Sequence, residues 1–188
     1  MASMNLLVAG LVLFIGIHLI PTGPKFRTTI ASRIGEGPYK GLFSLVSAIG
    51  LTLIVIGWPG THVPIHLFAP VSAAAAISPY LVTVAVVLFA AANLRTHIRA
   101  RLRHPQLIGL LLWSGVHLLA NGDLAGTVLF GSLAAYAIVA IISAEQRHAV
   151  KFFVPTWKHD AIAVVVGLAV SFLVMHFHAD LFNTAPIL

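Results

Sequence analysis

The chain has 188 residues, of which 59% are hydrophobic and only 9% are charged, against roughly 25% charged residues in an ordinary soluble domain. Its net charge is +6, and the absence of cysteine excludes disulfides, iron–sulfur clusters, thiolate-ligated haem and cysteine nucleophiles. The basic residues are not interleaved with aromatic residues and match no DNA-binding motif, so we expect membrane lipid as a partner and no nucleic acid.

Long uncharged apolar segments follow one another along the chain, and each predicts a membrane-spanning helix. They run over residues 4–20, 42–58, 71–93, 107–120, 124–144 and 161–177. The fourth is short for a span of roughly 20 residues, so we expect its helix to continue into the basic residues before it. The sequence predicts an all-α integral membrane bundle of about six transmembrane helices, in a single domain over residues 1–188.

The basic residues are distributed on one side of this predicted bundle. All 11 of them follow the first, third and fifth segments: Lys25, Arg27, Arg33, Lys40, Arg95, Arg99, Arg101, Arg103, Arg147, Lys151 and Lys158. Because Lys and Arg near span ends are retained in the cytoplasm, this pattern predicts six spans with both termini on the outer side.

Proline and turn residues predict where several helices begin and end. Pro105 after His104 is typical of a first helical position, where the missing N–H costs nothing. Asn121–Gly122–Asp123 predicts a tight connection that Asp123 caps. Pro79 lies inside the third segment, and we expect it to kink or open that helix.

Besides His176 at the outer end of the sixth segment, two histidines fall inside the predicted spans, where a polar side chain is costly and usually faces the bundle interior or a cofactor. They are His18 in the first span and His117 in the fourth, at depths that differ by about 10 Å on a rise of ~1.5 Å per residue. Such a pair suits the two faces of one haem, with Gly10, Gly16 and Gly115 leaving space for close approach. The alternative is that each imidazole only hydrogen-bonds a neighbouring helix.

A second group of polar residues precedes the fourth span. Arg99, Arg101 and Arg103 offer guanidinium groups that match haem propionates or another anionic ligand, and His104 adjoins them. The alternative is a stop-transfer cluster in contact with anionic lipid, with His104 as a helix cap or a donor to a neighbour.

Four further histidines lie in the predicted outer segments: His62, His66, His176 and His178. Together they would suit Zn or Cu. However, Pro64 breaks the helix that the spacing of His62 and His66 requires, which favours solvated interfacial histidines.

Three stretches of the chain carry a family resemblance. His18 in the first span, the stretch from Arg103 to Trp113 with its His-Pro-Gln sequence, and His117-Leu-Leu-Ala-Asn-Gly-Asp resemble the NnrU family over nearly the whole chain. That resemblance implies a bacterial inner-membrane location and a role in denitrification linked to nitrite and nitric oxide reductases. It implies denitrification redox proteins as partners. In such a membrane the outer side is the periplasm, so the charge pattern predicts a multi-pass protein with periplasmic termini.

The NnrU family is in turn similar to zeta-carotene isomerase, a haem b enzyme that isomerises a cis double bond of a polyene. Carried over by position, the two haem ligands of that enzyme fall on His18 and His117. The isomerase has a cysteine three residues before its second ligand, proposed to exchange with it, whereas this chain has Ser114. The resemblance therefore implies haem b ligation and leaves isomerase activity in doubt.

A more distant likeness connects the chain with membrane methyltransferases, which also have an Arg-His-Pro segment at the start of a helix. Those enzymes use a following pair of glutamates to hold S-adenosylmethionine, and here only Glu145 is present, followed by Gln146. Methyl transfer is the third hypothesis. The first is a haem b protein in redox or gas-linked support of denitrification, and the second is a haem enzyme acting on an apolar polyene or quinone-like molecule.

Overall fold

The computed structural model describes residues 2–58, 65–150 and 152–182, and these are helical without a strand. The prediction of an all-α protein is confirmed. The helices are α1 (Ala2–Leu19), α2 (Pro24–Ile34), α3 (Glu36–Gly57), α4 (Ser72–Ala92), α5 (His97–Leu102), α6 (Pro105–Asn121), α7 (Leu124–Gln146), α8 (Trp157–His176) and α9 (His178–Phe182), with a 3-10 turn at Ile20–Thr22.

Five of the described helices are long and apolar enough to cross a membrane. They are α1 with its 3-10 extension, α3, α4, α7 and α8. The remaining predicted span corresponds to α6, which has 17 residues and falls short of the roughly 20 that a perpendicular crossing needs. The protein is therefore a multi-pass membrane protein, and six remains an approximate number of spans.

The contacts divide the chain into two units, Met1–Pro64 and Ile65–Leu188. In the first unit, α1 packs against α3 through glycines. A Cβ on Gly10 would lie 2.7 Å from the Gly50 carbonyl oxygen, and one on Gly50 would lie 2.8 Å from the Phe14 nitrogen. The two backbones therefore approach as closely as small residues allow in a membrane.

In the second unit, α4 packs against both α6 and α8, and α6 packs against α7. The segment before α4 lies along the turn between α6 and α7, where Leu67 N–H donates to the Gly122 carbonyl at 2.8 Å. Gly122 has φ +70°, a left-handed conformation that favours glycine. Asp123 caps α7 by accepting from Gly126 N–H at 2.6 Å, as predicted.

The helix at the fourth predicted span does not continue into the basic residues before it, and that expectation was wrong. Arg103 has φ +63°, which breaks the helical path, and α6 begins at Pro105 as the His-Pro pair predicts. The preceding basic residues form the separate helix α5 instead.

Pro79 does not interrupt α4, which runs through it without a break. The ring removes the N–H that would donate to the Ala75 carbonyl. That carbonyl accepts instead from the Ser78 hydroxyl at 2.9 Å. A hydroxyl on the preceding residue thus satisfies the acceptor that proline leaves unpaired.

Candidate histidine ligands and the basic cluster

His18 lies in the last turn of α1, half-buried between two aromatic rings. Its ring centroid is 4.3 Å from that of Phe14 on the same helix and 5.0 Å from that of Phe43 on α3. The Nδ1 atom is 2.6 Å from the Phe14 carbonyl oxygen, one turn earlier. These contacts fix the orientation of the imidazole within the first unit.

His117 lies in the C-terminal half of α6, and its surroundings in the second unit have the same form. Its ring is 4.9 Å from Trp113 on the same helix and 4.9 Å from Phe130 on α7. Its Nδ1 atom is 2.8 Å from the Trp113 carbonyl oxygen, again one turn earlier. The side chain is half-buried, as is that of His18.

Both hydrogen bonds define the tautomer, because a carbonyl oxygen can only accept. Nδ1 of His18 and of His117 must therefore carry the proton, and in the neutral ring Nε2 holds the lone pair. A backbone carbonyl that accepts from one ring nitrogen is the usual arrangement for a histidine that ligates a metal through the other. The chemistry of this donor set fits haem iron.

The glycines beside these histidines differ in what they contact. Gly10 provides the close approach of α1 and α3 that its position predicts. Gly16 and Gly115 have no atom of their own unit within 4 Å of where a Cβ would be. Among the described residues, no neighbouring helix of the same unit approaches Gly16 or Gly115, and the space that the sequence predicts beside the histidines stays a prediction there.

A basic cluster, here Arg99, Arg101, Arg103 and His104, surrounds the start of α6. Within it, Arg103 forms an ion pair of 2.7 Å with Glu145 at the end of α7. The buried Nε2 of His104 is 2.9 Å from the other Glu145 oxygen, close enough for an electrostatic contact although the angles are not those of a hydrogen bond. Arg103 and His104 therefore hold a carboxylate that belongs to the protein itself.

The other two arginines of the basic cluster have different surroundings. The guanidinium of Arg99 lies 4.9 Å from the centre of the Phe153 ring, and Nη1 is 3.4 Å from the Leu94 carbonyl oxygen. Arg101 is exposed on α5. Of the basic cluster, Arg101 is thus the most accessible cation for an anionic ligand.

A pair that the sequence analysis missed, Asp160 with His97, connects α8 to α5. Asp160 is 9% exposed and accepts from the His97 backbone N–H at 2.9 Å and from His97 Nδ1 at 2.6 Å. The His97 ring stacks on Trp157 with centroids 4.1 Å apart. A carboxylate at the edge of an apolar segment is a usable signal, and with only five acidic residues in the chain it could have been found.

Two other predicted features have clear outcomes. Ser114 is fully buried and donates to the Leu110 carbonyl at 2.6 Å, so its hydroxyl is occupied within α6. Among the described residues, no three His, Cys, Asp or Glu side chains gather where they could hold a metal ion. The histidine cluster at the outer segments is therefore absent from the described part of the chain, and His62 lies outside it.

The fold and these residues define a multi-pass helical membrane protein with a half-buried histidine, His18 in one unit and His117 in the other, inside a long apolar helix. The family model described as NnrU protein matches residues 6–186, and the chain belongs to the NnrU family. Neither the curated proteins nor the solved structures contain a match to it.

Proposed function

We propose that this chain is a haem b-binding protein of the bacterial inner membrane, with His18 and His117 as the axial ligands. Its role is redox or gas-linked support of the nitrite and nitric oxide reductases of denitrification. Both termini face the periplasm, because that orientation places all 11 basic residues on the cytoplasmic side.

The observation that carries this proposal is the matched hydrogen bond at the two histidines. Nδ1 donates to the carbonyl of Phe14 in one case and of Trp113 in the other. In each, an aromatic residue one turn earlier supplies both the carbonyl and a ring beside the imidazole. The same protonated nitrogen and the same kind of neighbour therefore occur at both histidines, one in each unit.

Haem b would supply a one-electron iron couple and, with a displaceable ligand, a binding position for a diatomic gas. The protein's part is to hold neutral imidazoles in a fixed orientation and to keep water away from them with aromatic and aliphatic side chains. Arg101 is the first choice for a propionate partner, since Arg103 and His104 already contact Glu145.

The test is the absorption spectrum of the purified protein in detergent, oxidised and reduced, with a pyridine haemochrome assay. We expect a Soret band that disappears in His18→Gly and in His117→Gly and returns when free imidazole is added. The rescue separates loss of a ligand from loss of the fold. His148→Ala is the matched control, because His148 is exposed and lies outside the candidate spans. A full Soret band in either glycine variant without imidazole removes that residue as a ligand.

Carbon monoxide binding to the reduced protein separates a purely redox role, with both histidines held on the iron, from a gas-linked role and from the haem isomerase alternative, which each need one open iron position. Two tightly held histidines resist carbon monoxide, whereas an enzyme that opens one iron position for an apolar polyene accepts it. Ser114 does not favour the isomerase, because its hydroxyl is already bonded to the Leu110 carbonyl.

A second candidate function is methyl transfer, and one specific observation favours it. Arg103, His104 and Glu145, the residues expected to meet S-adenosylmethionine, lie within 2.9 Å of one another in the pairs Arg103–Glu145 and His104–Glu145. Equilibrium dialysis with labelled S-adenosylmethionine tests it. Retention that disappears in Glu145→Gln would support methyl transfer, and no retention by the unaltered protein would dismiss it.

A further inference from the structure

Tyr39, in the first turn of α3, has a buried hydroxyl without a partner. The residue is 6% exposed, and its hydroxyl oxygen makes no hydrogen bond within the described residues. Native proteins rarely leave a buried polar atom unpaired, because its desolvation is not repaid. An orphan hydroxyl of this kind therefore points to a partner outside the described residues.

The neighbours of Tyr39 connect it to His18. The Tyr39 ring centroid is 6.4 Å from that of Phe43, and the Phe43 ring is 5.0 Å from the His18 imidazole. His18 lies at the end of α1 and Tyr39 at the start of α3, so both belong to the same end of the α1–α3 pair. Phe43 is the shared neighbour of the two side chains.

This end of the first unit is positively charged. The Arg27 guanidinium lies 5.3 Å from the centre of the Tyr39 ring, while its Nη2 atom pairs with Glu36 at 2.8 Å. Lys40 adjoins Tyr39 in sequence and is exposed. A phenol O–H beside cationic groups is suited to donate to a carboxylate, which accepts through either oxygen.

We propose that Tyr39 is a positioning residue for the haem, whose hydroxyl donates a hydrogen bond to one propionate of the group that His18 ligates. This inference rests on the proposed function. It gives the first unit a propionate partner of its own. The apolar body of the macrocycle would then meet the Phe14 and Phe43 rings, and its carboxylate edge would face the basic residues that follow α1.

The test compares Tyr39→Phe with the unaltered haem-loaded protein, since this change removes only the hydroxyl. We expect haem transfer to excess apomyoglobin to become roughly tenfold faster, the change that loss of one charge-assisted hydrogen bond of about 1.4 kcal/mol produces. The propionate bending band in the resonance Raman spectrum should shift as well. Tyr80→Phe is the matched control, because Tyr80 is 74% exposed, and neither its transfer rate nor its Raman band should change.

The outcomes separate a failure of the Tyr39 inference from a failure of the proposed haem-binding function. If the unaltered protein binds no haem, both proposals fail. If haem is bound through His18 and His117 but Tyr39→Phe leaves the transfer rate and the propionate band unchanged, the function stands and the role of Tyr39 is overturned. A hydroxyl that merely held a buried water molecule would give that second result.

Discussion

The unit Met1–Pro64 is held by close contact between two apolar helices, and its ion pair, Arg27–Glu36, is exposed, whereas the unit Ile65–Leu188 has a largely buried carboxylate between two of its helices. In the first, glycines let α1 and α3 approach backbone to backbone. In the second, Asp160 connects α8 to α5, and Glu145 connects α7 to the residues before α6. The comparison teaches that the first unit depends mainly on the close packing of small residues, whereas the second also depends on a largely buried charge.

Among the substitutions that test this difference between the units, Asp160→Ala is expected to change the free energy of unfolding most. It leaves the His97 and Ile98 backbone N–H groups and the His97 ring without their acceptor in a buried position. We expect a loss of about 3 kcal/mol in the free energy of unfolding, because removing one member of a buried pair leaves the other uncompensated. Unfolding in mixed detergent followed by circular dichroism measures it.

Asp180→Ala is the control for that experiment, since Asp180 is exposed on α9. If Asp160→Ala unfolds at the same denaturant fraction as Asp180→Ala, the buried carboxylate does not stabilise the second unit. The proposed contrast between the two units would then be lost.

An intermediate effect is expected from Gly50→Leu, which tests the first unit. A Cβ at Gly50 would lie 2.8 Å from the Phe14 nitrogen and 3.0 Å from the Gly10 carbonyl oxygen, so α1 and α3 must separate. We expect a destabilisation of about 1–3 kcal/mol, as for other overpacked interfaces. It should also loosen the contact between Phe43 and His18.

Gly41→Leu, in the same helix, provides the matched comparison for Gly50→Leu. Nothing lies within 4 Å of a Cβ at Gly41, and leucine forms helix better than glycine by up to about 1 kcal/mol. This control should be neutral or stabilising in the same unfolding assay. Equal losses in the two variants would contradict a specific glycine contact.

The smallest effect is expected from Glu145→Gln, which neutralises the carboxylate between Arg103 and His104. Glu145 and Arg103 are 39% and 45% exposed at their side chains, so the pair is partly solvated. We expect a loss below about 1 kcal/mol at low ionic strength that shrinks further in high salt. Unfolding curves at two salt concentrations measure the difference. If Glu145→Gln lowers the free energy of unfolding as much as Asp160→Ala does, solvent exposure does not explain how much each ion pair contributes.

Much of the fold follows from the sequence because a bilayer restricts the possibilities. Apolar segments of about 20 residues must form helices in lipid, where every backbone group has to be satisfied internally. The helix start at Pro105 and the cap at Asp123 follow from local chemistry that needs no tertiary information. The prediction for the start of α6 was wrong because Arg103 has a positive φ that ends the helical path. Nothing in the run of basic residues indicates that conformation.

His18 and His117 could be selected from the sequence as polar side chains in predicted spans, but their tautomers could not. The acceptor of each Nδ1 proton depends on the rotamer that the neighbouring rings of Phe43 and Phe130 allow. Haem ligation by both side chains stays a prediction. The fold places the proton of each ring on Nδ1, which is the tautomer that ligation through Nε2 requires.

The sequence by itself determined the class of the protein, its apolar helices and the placement of its basic residues. Composition shows which segments are apolar, and a single apolar segment that crosses a bilayer must form a helix. Only the tertiary structure decided that Glu145 contacts Arg103, that Asp160 accepts from His97, and that the Tyr39 hydroxyl is buried without a partner in the described part of the chain. The two contacts join residues that are far apart in the chain. The burial of the hydroxyl is a consequence of the helices that pack around it. Helix packing brings these residues together, and no pattern along the sequence encodes it.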